Sequence, residues 1–467
     1  MRFNTKSANA QTVYNFIGTV VRTGVSIVTM PIFTRLLGTA QYGKYSIYLS
    51  WFNVLSCIIA LGCGQGIATG IYVFKDDYKK FRSSILFGGS CMCIVTSVIG
   101  ISLYGFISAF FNLPIYVYVM LFLESFASFV LGFSNNAWIY EKKALSNMIV
   151  SLLVVISTTV LSLVLIVKWN GSSDELYLAR VLGIALPNVV IAVIVWLVLF
   201  CEKPFGYNKG YWLYSFSFGI PVMFHLLSHQ ILTSSDRLMM DAFNVSDSEI
   251  GIYSFFYMIV SMLTVILNAL NNSWVPFLYD DLDKKNYALL DKRVGNYVQV
   301  FTILTCGFIL LSREVTMFFG DEDYWPGTSV IPILVIVVYC TFIYQFPVNY
   351  EFFKGKPTVI AIGTIFAAIE NVILNFGLIP SFGMYGAAIA TLISYITLAI
   401  VHIIIVNIWK EEKYPLSMKP VLFGLLIVMF TCILFYVFDK LWFIRWSIGL
   451  IIGLYLLVSI KKRKTIF

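Results

Sequence analysis

Apolar residues in this chain neither alternate nor trace a single helical stripe; they come in runs of roughly 20, separated by short polar gaps. A run of that length crosses a ~30 Å hydrocarbon core as a helix. About fourteen such runs are present, near 13–34, 45–71, 84–110, 114–137, 147–167, 181–200, 212–233, 250–275, 297–319, 328–350, 357–379, 383–407, 419–438 and 441–460. The pattern predicts an all-α polytopic membrane protein with about fourteen transmembrane helices. The first run is too long for a signal-peptide core and no small-residue cleavage site follows it, so no cleavable signal peptide is expected.

Polar positions inside the runs are also periodic. In the first run Thr12, Asn15, Thr19, Arg22, Ser26 and Thr29 are spaced by threes and fours, which puts them on one face of a helix. In the seventh, Pro221, His225, His229 and Asp236 share a face. The second run offers Ser46, Ser50, Asn53 and Ser56; the eighth offers Ser254, Ser261, Thr264, Asn268 and Asn271, followed by Asn272. Exposed polar groups are costly in hydrocarbon, so these faces are expected to converge on a wet central cavity. The competing reading is that they only bond helix to helix. Arg22 favours the cavity, because a mid-span guanidinium costs at least ~2.5–3.5 kcal/mol and usually lines a pathway or has a partner. Glu124, Asp236 and Glu370 are the candidate partners.

The chain repeats itself as well. TRLLGTAQYGKYSIYLSWFNVLS, from Thr34, resembles DRLMMDAFNVSDSEIGIYSFFYMIVSML, from Asp236. Arg35 matches Arg237; after a six-residue insertion Gly43, Tyr45 and Ser46 match Gly251, Tyr253 and Ser254. Six spans separate the copies, so both point the same way, as in parallel repeats about an axis along the membrane normal. The expected division is a six-helix lobe over 1–205, a second over 206–410, and two appended helices with a basic tail over 411–467.

Composition sharpens the class. Hydrophobic residues make up 59% of the 467 and charged residues 12%, about half the fraction of a soluble domain. With the N-terminus inside, 23 of the 32 Lys and Arg fall in inner gaps or the tail, among them Lys79, Lys80, Arg82, Lys142, Lys284 and Lys461. That bias predicts cytoplasmic N- and C-termini. The net charge of +8 is therefore topology and predicts no nucleic-acid partner. The eight cysteines form no CxxC, and His225 and His229, spaced four apart, have no third ligand, so neither a metal nor a cofactor is expected. The longest inner loop, around 278–296, has fewer than 20 residues; without an aqueous domain a transporter is favoured over an enzyme.

The pattern N…LN..LIP..G..GAAIATLISY in 371–395, with TRLLG…YGKYS near the start, resembles the polysaccharide-export branch of the multidrug/oligosaccharidyl-lipid/polysaccharide exporter superfamily. Within it the chain is most similar to O-antigen (Wzx-type) flippases, over nearly its whole length. One departure is the end of the second span, GQGIATGIYVFK, which lacks an Arg expected there. The resemblance implies a flippase of the bacterial inner membrane. Its cargo would be undecaprenyl-pyrophosphate-linked oligosaccharide repeat units of O-antigen or capsule, carried outward by alternating access. Polysaccharide polymerase or assembly proteins would be partners, and the last two spans would help seat the polyprenyl tail. Read together with the residues, Arg22 faces the pyrophosphate, aided by His225 or His229, with Asn15, Thr19 and Ser26 on the same first-span stripe; Asn268, Asn271 and Asn272 face sugar hydroxyls. Glu124, Asp236, Arg237 and Glu370 form a coupling or charge-pair set: the acids carry protons or sodium, or hold Arg22 neutralised. The rivals are an ion-coupled drug or cation exporter of the same superfamily, whose lumen would be dominated by acids, and a membrane-embedded enzyme of polysaccharide assembly.

Overall fold

A computed structural model describes residues 8–203, 206–408 and 414–463, and every regular element among them is helical. The longer helices are α1 (Ala8–Ile58), α2 (Ile67–Phe74), α3 (Tyr78–Ser102), α4 (Tyr104–Phe111), α5 (Ile115–Tyr140), α6 (Ala144–Val167) and α7 (Leu176–Glu202). They continue as α8 (Lys209–Ala242), α9 (Asp247–Asp283), α10 (Tyr287–Phe319), α11 (Ile331–Phe353), α12 (Pro357–Ile408), α13 (Lys419–Val437) and α14 (Trp442–Arg463). Among the described residues, ten helical stretches are long and apolar enough to cross a membrane. The protein is an all-α polytopic membrane protein.

Two helices hold two predicted spans each. At 51 residues, α1 would run about 77 Å if straight, far beyond one bilayer. It breaks at Gly38, whose φ of 70° and ψ of 174° leave the helical region. In the 52-residue α12 the break is at Gly383, with φ 52° and ψ −129°. Glycine holds both because a Cβ is strained at such φ. The second predicted span differs from expectation. It stops being helical at Ile58 and turns through 59–66, with φ of 48° at Leu61 and 71° at Gly62, before α2.

The chain forms two compact units, Met1–Gly251 and Ile252–Phe467. The first unit contains α8. The reason lies in the packing of α8 on α1 and α3. Gly62 and Gly219 meet backbone to backbone: a methyl group built on either would overlap the other's carbonyl. The start of α8 is fixed by Asn208, whose Oδ1 accepts the amides of Gly210 (2.8 Å) and Tyr211 (3.3 Å).

A second glycine crossing joins the repeat mates themselves. A Cβ on Gly43 would overlap the carbonyl of Asp247 and lie 3.0 Å from the Gly251 nitrogen. A Cβ on Gly251 would overlap the carbonyl of Thr39 and lie 3.0 Å from the Gly43 nitrogen. The repeat offset of 208 carries Thr39 to Asp247 and Gly43 to Gly251, so the contact is reciprocal, as at a local two-fold axis. Ser248 Oγ donates to Thr39 Oγ1 at 2.7 Å beside it.

At the other end of the first unit lies a charged knot. Arg82 is fully buried; its Nη1 donates to Glu141 at 2.6 Å and its Nη2 to Glu202. Lys143 bridges the same carboxylates at 2.9 and 3.2 Å. The knot ties α3 to the ends of α5 and α7. In the second unit an aromatic core of Trp274, Tyr297, Phe342 and Phe346 sits between α9, α10 and α11, with ring centroids 5.1–5.3 Å apart from Trp274 to Tyr297, Tyr297 to Phe342 and Trp274 to Phe346. Arg445 anchors α14 on α10: it is 1% exposed and donates to Glu314 through Nη1 (3.0 Å) and Nη2 (2.5 Å), and to the Leu310 carbonyl (2.6 Å).

Candidate functional site

Residues 12–29, over which the first-span stripe is expected, belong to α1. The side chains of Thr12, Asn15, Thr19 and Arg22 lie outside the described residues; Ser26 is exposed and Thr29 bonds back to the Val25 carbonyl at 2.8 Å. On α8, His225 is half-buried with a shielded, unbonded Nδ1, and His229 is exposed. Asp236 is fully buried, and buried Arg237 donates to the Thr233 carbonyl at 3.0 Å. On α9, Asn268 and Asn272 are exposed, whereas Asn271 accepts a bond from Asn349 at 2.9 Å.

Glu124 has partners that sequence reasoning did not supply. It is 3% exposed on α5; its Oε2 accepts the Tyr48 hydroxyl of α1 at 2.5 Å, and its Oε1 accepts Asn188 Nδ2 of α7 at 3.3 Å. Arg180, two turns before Asn188, lays its guanidinium on the Phe33 ring, 3.5 Å from the centroid. One turn along α5 from Glu124 a cavity of about 180 Å³ opens, lined by Ser56, Gln65, Ser128 and Asn136 among others. It receives Ser56 from the predicted polar face of the second span. Toward the basic end of this unit Phe74, Phe81, Tyr211 and Tyr214 close ring on ring, with centroids 4.4 Å (Phe74–Phe81) to 5.9 Å (Phe81–Tyr214) apart, and Thr69 bonds the Tyr214 hydroxyl at 2.7 Å.

In the second unit the two arms of α12 fold on one another. Gly386, Ala390 and Ser394 are buried, and a Cβ on Gly386 would overlap the Leu378 carbonyl, so the small residues serve the close approach of the arms. Asn375 Nδ2 donates to Asn371 Oδ1 (3.1 Å) and Asn371 Nδ2 to Thr391 Oγ1 (3.3 Å), all three without exposure. Glu370 accepts from Thr397 at 2.9 Å. A pair the sequence did not suggest, His402 on α12 and Glu351 on α11, is fully buried, with Nδ1 2.8 and 2.9 Å from the two carboxylate oxygens.

Beside α13 and α14 runs an apolar groove of about 560 Å³. Val298 and Ile303 of α10, Phe423 and Ile427 of α13, and Ile451 and Ile452 of α14 line it. Such a concavity fits a flexible hydrocarbon chain, and its lining carries no charged side chain. Among the described residues no cluster of three or more His, Cys, Asp or Glu could hold a metal ion.

Known proteins resemble this chain in sequence or in fold. An uncharacterized membrane protein of Haemophilus influenzae is 22% identical over 362 residues, 76% of this chain and 86% of that protein. A probable flippase, AglR, of Haloferax volcanii is 27% identical over 164 residues, 32% of this chain and 33% of its own length. Among solved structures, the lipid II flippase MurJ in an inward closed conformation superposes with a TM-score of 0.67 at 15% identity, covering 94% of this chain and 99% of that one. An inward-facing multidrug resistance MATE family transporter of the MOP superfamily gives 0.59 at 14% identity, covering 88% and 98%. At these identities the superpositions establish a shared fold. The sequence model described as "Polysaccharide biosynthesis protein" matches residues 9–280, more than half of the chain, which thereby belongs to the polysaccharide biosynthesis protein family.

Proposed function

We propose that the chain is a flippase rather than an enzyme. It moves undecaprenyl-pyrophosphate-linked oligosaccharide units, the precursors of O-antigen or capsule, from the inner to the outer leaflet of the bacterial cytoplasmic membrane. The observation that carries this reading is the apolar groove beside α13 and α14. A polyprenyl tail is long, flexible and apolar; a groove open to the bilayer holds it at about 0.8 kcal/mol per buried CH₂ while the polar head crosses separately. The fold shared with a lipid II flippase supports the same reading. The head group would meet Arg22, His225 and His229 at its pyrophosphate, with Asn15, Thr19 and Ser26 beside it and Asn268, Asn271 and Asn272 at its sugars. Both termini would be cytoplasmic, and polysaccharide polymerase or assembly proteins would take the product. Proton or sodium coupling would use Glu124, Asp236 or Glu370, with Arg237 as a charge partner.

The test is complementation of a strain lacking its own repeat-unit flippase. Arg22→Ala should abolish surface polysaccharide with the protein still in the membrane, because it removes a charge-assisted, bidentate contact to an oxyanion. Arg22→Lys should retain part, keeping charge and losing the fork. Ile452→Trp, which fills the groove, should also fail. If Arg22 only neutralises an acid, Arg22→Ala lowers protein abundance, and removal of that acid restores it. Full complementation by a stably present Arg22→Ala variant would refute both roles. The drug-exporter reading has the MATE-like fold and the buried carboxylate Glu124 in its favour. It predicts that Ile452→Trp leaves function intact.

A further inference from the structure

The partners of Glu124 are unusual for a buried carboxylate. A permanently ionised one takes obligate donors, such as arginine or backbone N–H; a permanently protonated one takes an obligate acceptor. Glu124 has neither. Tyr48 donates to it now and can equally accept, because a hydroxyl does both. Asn188 donates through Nδ2, while its Oδ1 is buried and unbonded. A half-turn of the amide exchanges the two atoms, so the same side chain serves a carboxylate through its N–H and a carboxylic acid through its carbonyl.

The neighbouring cation is arranged in keeping with this. Arg180 makes no ion pair with Glu124; it lies over the Phe33 ring at 3.5 Å and the Tyr45 ring at 5.6 Å, and its Nη1 is buried without a hydrogen bond. Its charge therefore compensates an ionised Glu124 from nearby, and ring faces hold it when the carboxyl is neutral. The titratable or charged groups facing Glu124 from the elements packed on α5 are Tyr45 and Tyr48 of α1 and Arg180 of α7. The polar cavity beginning at Ser128, one turn away on α5, offers space for water beside the site.

We propose that Glu124 is a proton-binding site of the first unit. It takes a proton from water onto Oε1 and returns it during the transport cycle, with Asn188 turning over at each exchange and Arg180 as the fixed countercharge. As a coupling site this rests on the transport reading; as a titrating site it does not. The test is infrared difference spectroscopy of the full chain in lipid nanodiscs, stepped between acidic and alkaline pH, with and without sodium.

A carboxylic-acid carbonyl band should be lost in Glu124→Gln and kept, displaced, in Glu124→Asp, which also controls for folding. Asn188→Leu should move the band to higher frequency, since the acid loses its acceptor. Spectra of the parent and Glu124→Gln that coincide across the whole pH range would overturn the proposal. So would a Glu124 band governed by sodium at constant pH. If reconstituted protein delivers no lipid-linked oligosaccharide yet the band behaves as stated, the cargo reading fails and the proton site stands.

Discussion

Gly43→Leu is expected to prevent the crossing of α1 with the start of α9 from closing. The side chain has nowhere to go: its Cβ alone would overlap the Asp247 carbonyl, which is backbone and cannot swing aside. Gly251→Leu should have the same effect through Thr39, because the contact is reciprocal. A cysteine pair at Thr39 and Ser248, whose hydroxyls are 2.7 Å apart, reports closure directly. It should cross-link readily in the parent chain and lose most of that cross-link when Gly43 or Gly251 is leucine. Gly43→Ala should already show a partial loss. Undiminished cross-linking in Gly43→Leu would mean that the helices cross with room to spare.

Removing Arg82 is the second large perturbation. Arg82→Ala leaves Glu141 and Glu202 close together with only Lys143 between them. Breaking a buried pair by deleting one partner typically costs about 3–5 kcal/mol. The lower end applies, because the Glu202 side chain is 34% exposed and water screens part of the uncompensated charge. SDS-driven unfolding in bicelles should show the loss. The double variant Arg82→Ala, Glu202→Gln should recover part of it, since it removes the like-charge contact. An unchanged midpoint in Arg82→Ala would show that Lys143 alone holds this end together.

Arg82 also shows where sequence reasoning stops. The count of basic residues treats it as an inner loop charge, and the structure buries it completely. The apolar runs were legible because hydropathy along a helix is a local property. The repeat was legible because Gly43 and Gly251 keep their neighbours at a fixed offset. The partners of Glu124 were not, for they lie 76 and 64 residues away, and only folding brings Tyr48 and Asn188 together around it. The same holds for His402 and Glu351, 51 residues apart on α12 and α11. The break at 59–66 had a local sign in the glycines of GCGQG, but hydropathy counts glycine as nearly neutral and reads across it.

The meeting of Gly62 with Gly219 is made of main chain on both sides. Dispersion between such atoms is short-ranged: a gap of about 0.5–1 Å already forfeits a quarter to a half of it. A seam built this way weakens steeply over the first ångström of parting. It also contains no ions, so neither salt nor acidity tunes its strength. Parting it takes a displacement of α8 against the 59–66 turn.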